Sequence, residues 1–192
     1  MIYAFDGREP KIGRDVYISD QAVVIGEVKI GDGCYVGPGA ILRGDYGKIV
    51  IGSGTAVEEN VVVHAPPEQA CQIGKKVTLG HGAIIHANSI RDMAVIGMGA
   101  VLSLGVKIGQ GTIVAEGAVV RMGQKVPAGV VVAGNPAAVI REVTPEDMER
   151  WKKGKQLYID LAEKYLIIGL QPVNKNDLQP ARTQTGRLLG KK

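Results

Sequence analysis

This 192-residue chain has only three histidines, His64, His81 and His86, and they fall close together in the sequence. Neutral imidazole is the commonest protein ligand for zinc-like metals, and three such ligands with a vacant fourth position make a catalytic rather than a closed structural site. The charged groups that hydrolytic or hydration chemistry would use lie nearby: Arg43 and Asp45 upstream, the adjacent pair Glu58 and Glu59, and Glu68 just past His64. A lone histidine is more often structural than a ligand. Whether these three form a site depends on the element that carries them.

That element is written in a repeat of six. Aliphatic residues recur at Ile12, Ile18, Val24, Ile30, Val36 and Leu42, then at Ile51, Val57 and Val63 after a short insertion. Past the segment His64 to Gln72 the series continues from Ile73 through Ile90 to Val126. A small or β-branched residue sits two places earlier (Ala22, Val28, Cys34, Ala40), and glycine often follows. Glycine, at 27 residues, is about twice its usual share, while Phe and Trp occur once each. A period of six fits neither a 3.6-residue helix nor a hairpin ladder. It fits a prism of short parallel strands with a corner after each, three to a coil, and predicts about six coils ending at Val126-Pro127. Thr144-Pro145 then reads as the N-cap and first position of a helix. Met148, Trp151, Tyr158, Leu161, Ala162 and Tyr165 form its apolar stripe, expected to pack on the prism. The expected divisions are 1–143 for the β-helix with its closing turn, 144–168 for the helix and 169–192 for a polar tail.

The register places the histidines. His64 follows the inward Val63 and His86 the inward Ile85, one coil later, so the two stack on one outward face about 4.8 Å apart. Arg43 follows Leu42 in the same column, with Asp45 beside it. His81 follows Leu79 by two and belongs to a different face. In a three-fold assembly of parallel prisms, unlike faces meet, which brings His81 of one chain toward the His64/His86 pair of the next. Glu58 and Glu59, one coil below His81, are expected to face Arg43 and Asp45 across that interface.

The segments Leu42-Arg43-Gly44-Asp45, Val61-Val62-Val63-His64 and Gly80-His81-Gly82-Ala83-Ile84-Ile85-His86 resemble those of the γ-class carbonic anhydrase family, which includes relatives of carnitine and phenylacetate pathways. The resemblance covers roughly residues 1–168. It implies a left-handed β-helix, a homotrimer, and zinc (or iron or cobalt) held by residues matching His64 and His86 of one subunit and His81 of the next. It also implies an ion-pair role for Arg43 and Asp45, and reversible hydration of CO2 to bicarbonate by a metal-activated hydroxide. Two features depart from the best-studied members. Glu58-Glu59 stands where they carry Gln-Asp, so Glu58 would orient or deprotonate the water and Glu59 would pair with Arg43. The loop Ala65 to Gln72 lacks their long acidic insertion, which leaves Glu68 as its one candidate proton carrier.

Two other readings use the same repeat: a CoA-linked acyltransferase or thioesterase, and a metal-stabilised subunit without turnover. A one-base acyltransferase has no use for three converging histidines, but a metal-activated hydroxide could hydrolyse a thioester, and the departures at Glu58 and the short loop leave the silent subunit open. Cys34 is expected to fill the core, and Cys71 to be a packed thiol of the loop beside His64. With two cysteines, no signal-peptide layout and no apolar run of membrane length, a cytoplasmic protein is expected. Much of the formal net charge of +4 belongs to the last residues, so no nucleic-acid partner is expected.

Overall fold

The computed structural model describes residues 1–173. The chain winds as a left-handed parallel β-helix of about seven turns, followed by one helix. Three columns of aliphatic side chains point inward, one from each face. Ile12, Ile30, Ile51, Ile73, Ile90, Ile108 and Val126 stack in register on the first. Ile18, Val36, Val57, Leu79, Ile96, Val114 and Val132 stack on the second. Val24, Leu42, Val63, Ile85, Leu102 and Val120 stack on the third. All are buried except Ile12 and Ile18, in the first coil, which has no coil beneath it. Three branched side chains per coil leave room between them only for small groups. Ala22, Cys34, Ala40, Ala83, Ala94 and Ala100, each fully buried, take that space.

The winding goes one rung beyond the point at which the aliphatic series was expected to stop. Val132, six past Val126, is fully buried on a strand Val130–Ala133. Pro127 does not end the prism because Val126 is the top rung of its face, so the N–H that proline lacks has no strand above to reach. A second correction concerns Cys71. It lies in the strand Ala70–Ile73, paired with Ile49, with its side chain fully buried, and is a core residue rather than a loop thiol. It occupies the small-residue place two before the inward Ile73, which returns the chain to the ladder earlier than the sequence spacing suggests.

The helix runs Pro145–Ile168 and begins on a capping box between Thr144 and Asp147. It lies on the face of the second column. Tyr165 stacks on Tyr17 with ring centroids 4.5 Å apart, and Tyr158 meets Tyr35 at 5.3 Å. Met148, expected on the packing stripe, is exposed, whereas Lys155 is buried. The covered face carries Tyr17, Tyr35 and Thr78, so a polar seam takes a lysine where a wholly aliphatic one would reject it. Of the expected polar tail, residues 174–192 lie outside the described residues.

Candidate metal centre

The strands Ile41–Ile51, Val62–His64 and Ile84–Ile85 sit side by side on the third face, with Arg43 in register with His64. His64 and His86 project outward from successive coils, ring centroids 4.8 Å apart, and Nδ1 of His64 lies 3.0 Å from Nε2 of His86. Arg43 Nη1 pairs with Asp45 Oδ2 at 2.5 Å, and Asp45 Oδ1 stands 3.5 Å from His64 Nε2. Arg43 and the carboxylate's own backbone contacts outweigh burial and hold Asp45 below the usual carboxylate range. Burial, with the Arg43 guanidinium nearby, holds His64 below the usual histidine range. Its imidazole is therefore neutral at pH 7, the form that binds metals. Beside these side chains runs a column of outward aliphatics, of which Ile41 and Ile84 are exposed.

His81 occupies the corner that follows the strand Thr78–Leu79 on the helix-covered face. One coil below it, Glu58 and Glu59 form the matching corner. His81 Nε2 lies 3.1 Å from Glu58 Oε2, and His81 Nδ1 lies 2.6 Å from Glu59 Oε2. Glu59 also accepts from the Tyr35 hydroxyl at 2.7 Å. Gly37 permits that approach, since a Cβ there would stand 2.9 Å from Glu59 Oε1 and 3.0 Å from the Tyr35 ring. The hydrogen bonds from Tyr35 and the backbone, and His81, overcome burial and keep Glu59 below its ordinary range. Glu58 is nearly buried, and burial raises it despite His81 and a hydrogen bond from Tyr158.

The donor set suits a divalent metal. Two stacked imidazoles bring His64 Nδ1 and His86 Nε2 within 3.0 Å of each other, so both nitrogens can face one ion, while the other His64 nitrogen, Nε2, is buried 3.5 Å from Asp45 Oδ1. Among the described residues of one chain, no group of three His, Cys, Asp or Glu side chains converges on a metal position.

The family profile "Bacterial transferase hexapeptide (six repeats)" matches residues 9–44. A carbonic anhydrase of Geobacillus kaustophilus is 36% identical over 89% of this chain and 94% of its own length. The carnitine operon protein CaiE of Salmonella agona is 35% identical over 83% of this chain and 81% of its own. This chain belongs to the hexapeptide-repeat family of the γ-class carbonic anhydrases and CaiE proteins. Gamma carbonic anhydrase 2, mitochondrial, of Arabidopsis thaliana is 37% identical over 85% of this chain, which spans 60% of that protein's length. Among solved structures, a hexapeptide transferase family protein of Anaplasma phagocytophilum matches with a TM-score of 0.81 and 32% identity over 85% of this chain and 97% of that one.

Within the family fold, the chain groups the expected residues into two clusters: Arg43, Asp45, His64 and His86 on one face, and Glu58, Glu59 and His81 at a corner of another. Glu68 joins neither. It is exposed in a cleft with Arg8, Tyr46 and Lys48, and its backbone N–H holds the Tyr46 carbonyl at 3.3 Å. Tyr35 and Tyr158, which reach Glu59 and Glu58, were not anticipated. Tyr17 and Tyr35 lie in register one coil apart, and that recurrence of a bulky ring outside the inward column was the available signal. Nothing in the sequence pattern points to Tyr158 beyond its helical stripe.

Proposed function

We propose that this protein is a metal-dependent carbonic anhydrase that interconverts CO2 and bicarbonate at the interfaces of a homotrimer. The observation that carries the reading is the division of three histidines between two faces of one prism, with the His64/His86 pair bordered by exposed Ile41 and Ile84. Covering that aliphatic column with a second copy would remove it from water and bring a neighbour's His81 corner to the pair. His64 and His86 of one subunit and His81 of the next would hold the ion, which we take to be zinc, iron or cobalt. When bound, such an ion supplies Lewis-acid activation of water.

The protein's own residues set the surroundings. Arg43 fixes Asp45, and Asp45 in turn orients the His64 ring from its Nε2 side. Tyr35 holds Glu59 toward His81. Glu58, buried and raised, is suited to accept and hold a proton at Oε2 beside the site. Two buried free thiols, Cys34 and Cys71, suit a reducing cytoplasm. Among the described residues no helix is long and apolar enough to cross a membrane.

Metal analysis together with stopped-flow CO2 hydration on anaerobically prepared protein tests the reading. Bound metal with hydration well above the buffer rate is expected. Metal-replete protein that leaves the CO2 rate unchanged would sink it, and thioester hydrolysis by the same preparation would then favour a CoA-linked role. The similarity to CaiE and to a transferase-family structure supports that second reading.

A further inference from the structure

Lys155 is the most deeply buried charged side chain among the described residues, 3% exposed in the seam between helix and prism. Its Nζ donates to Thr78 Oγ1 at 3.1 Å and to the Ala94 carbonyl at 3.0 Å. An ammonium carries three donors, and among the described residues no third acceptor meets this one. The Trp151 ring, 6.0 Å from Nζ, lies at the limit of a cation–π contact. Two acceptors satisfy a neutral amine. Burial accordingly pushes the Lys155 amine down to about 7, with Glu58 opposing. The group is matched as a neutral amine and one partner short as a cation.

Lys155 lines two neighbouring cavities. One, of about 400 Å³, is walled by Val95, Ile113, Met148 and Trp151, with Gln110 at its side. Asp147 also lines it, but its carboxylate is committed to Arg141 and to the Thr144 N–H. The other, of about 520 Å³, carries Lys76, Lys152 and Lys153 against a single acid, Glu149. An apolar chamber with one unmatched buried donor, beside a second cavity that carries three further lysines, has the make-up of a small-ligand site.

We propose that this seam binds a small carboxylate with a short apolar tail. The carboxylate supplies the third partner of Lys155, and the tail lies against Trp151, Ile113 and Val95. No covalent bond changes; the amine takes one proton from solvent as the anion enters. The charged groups facing Lys155 are Glu58 and Lys76 from the prism, and Asp147, Glu149, Lys152 and Lys153 from the helix. The site is separate from the histidines, shares only the neighbouring Glu58 with them, and does not rest on the activity proposed above.

Calorimetric titration of the metal-loaded full chain at pH 8 with butyrate, acetate and inorganic phosphate tests the proposal, each run in two buffers of different ionisation enthalpy. Butyrate should bind about tenfold more tightly than acetate, as two further buried methylenes imply. Phosphate should bind more weakly than either, and butyrate should draw close to one proton per site. Lys155→Met should abolish butyrate binding. Ile113→Trp, which fills the chamber and leaves the amine in place, should abolish it too and decides the matter if Lys155→Met fails to fold. Absence of butyrate binding at tens of millimolar would overturn the proposal. So would binding without proton uptake, or binding that survives in a folded variant, as a carboxylate seated at the histidines would.

Discussion

Nδ1 of His64 lies 3.0 Å from Nε2 of His86, on side chains that leave successive coils one above the other. Strand stacking fixes this spacing, because Val63 and Ile85 are ladder partners beneath the two rings. Two imidazolium groups so close would repel, and His64 is held neutral by burial and by the Arg43 guanidinium. His64 is thus kept in the form that accepts a metal, while His81 faces Glu58 and Glu59 from another corner.

That division makes a complementation experiment decisive. His64→Ala and His81→Ala should each yield protein without stoichiometric metal. Unfolding and refolding the two together should restore a fraction of the metal and of the CO2 activity, since mixed trimers contain interfaces intact on both sides. Full metal retention by either variant alone would mean that one chain holds the ion unaided.

Arg43→Ala should weaken assembly as well as activity. In the single chain Arg43 holds Asp45, and in the proposed trimer the pair is buried against Glu59 of a neighbour. Removing one partner of a buried ion pair costs about 3–5 kcal/mol. Sedimentation on dilution should therefore show smaller species at concentrations where the parent stays trimeric. A variant with an unchanged sedimentation profile and thermal midpoint would place Arg43 off the interface.

The prism was legible because its core obeys a strict count. Every inward residue from Ile12 to Val126 is named by a six-residue spacing and its few slips, and stacking then dictates that His64 lies over Arg43. The last rung of the second column is not announced by the sequence, because Val132 follows a proline and precedes Gly134-Asn135-Pro136, both of which read as stops. The seam under the helix was less legible. Burial of Lys155 depends on Thr78 and Ala94, distant in sequence, offering it oxygens, and no periodicity within Pro145–Ile168 announces that. Glu68 was read from its place in a loop, but that loop turns its backbone toward Tyr46 and its side chain to solvent.

Lys155 should leave a signature in the pH dependence of stability. The unfolded chain keeps this proton up to the ordinary lysine value of 10.5, whereas the folded chain releases it near 7. Between those limits the unfolded state binds more protons, so this group makes stability rise with pH from about 7 upward, by at most roughly 1.4 kcal/mol per pH unit. Below pH 7 its destabilising effect is complete. Chemical denaturation from pH 6 to 10 should show the slope in the parent and a flatter profile in Lys155→Met, which should also be the more stable at pH 6. Parallel profiles for the two proteins would show that the buried amine stays protonated.

Glu58 should separate this protein from relatives that carry an amide at its place. It is 5% exposed, its Oε2 lies 3.1 Å from His81 Nε2, and burial raises its carboxyl above the ordinary range. In the proposed site this carboxylate either adds a negative charge beside the activated water, which makes that water harder to deprotonate, or takes up the proton itself. In both cases the active form emerges at higher pH than an amide would allow. Glu58→Gln should therefore move the rising limb of kcat/KM for CO2 toward lower pH by about one unit, with metal content unchanged. The sign is fixed by charge alone, since Gln keeps the shape and one carbonyl acceptor for the His81 N–H. A fully metallated variant with an unmoved profile would show that Glu58 does not sense the reacting water, and that its place in the corner is to hold His81.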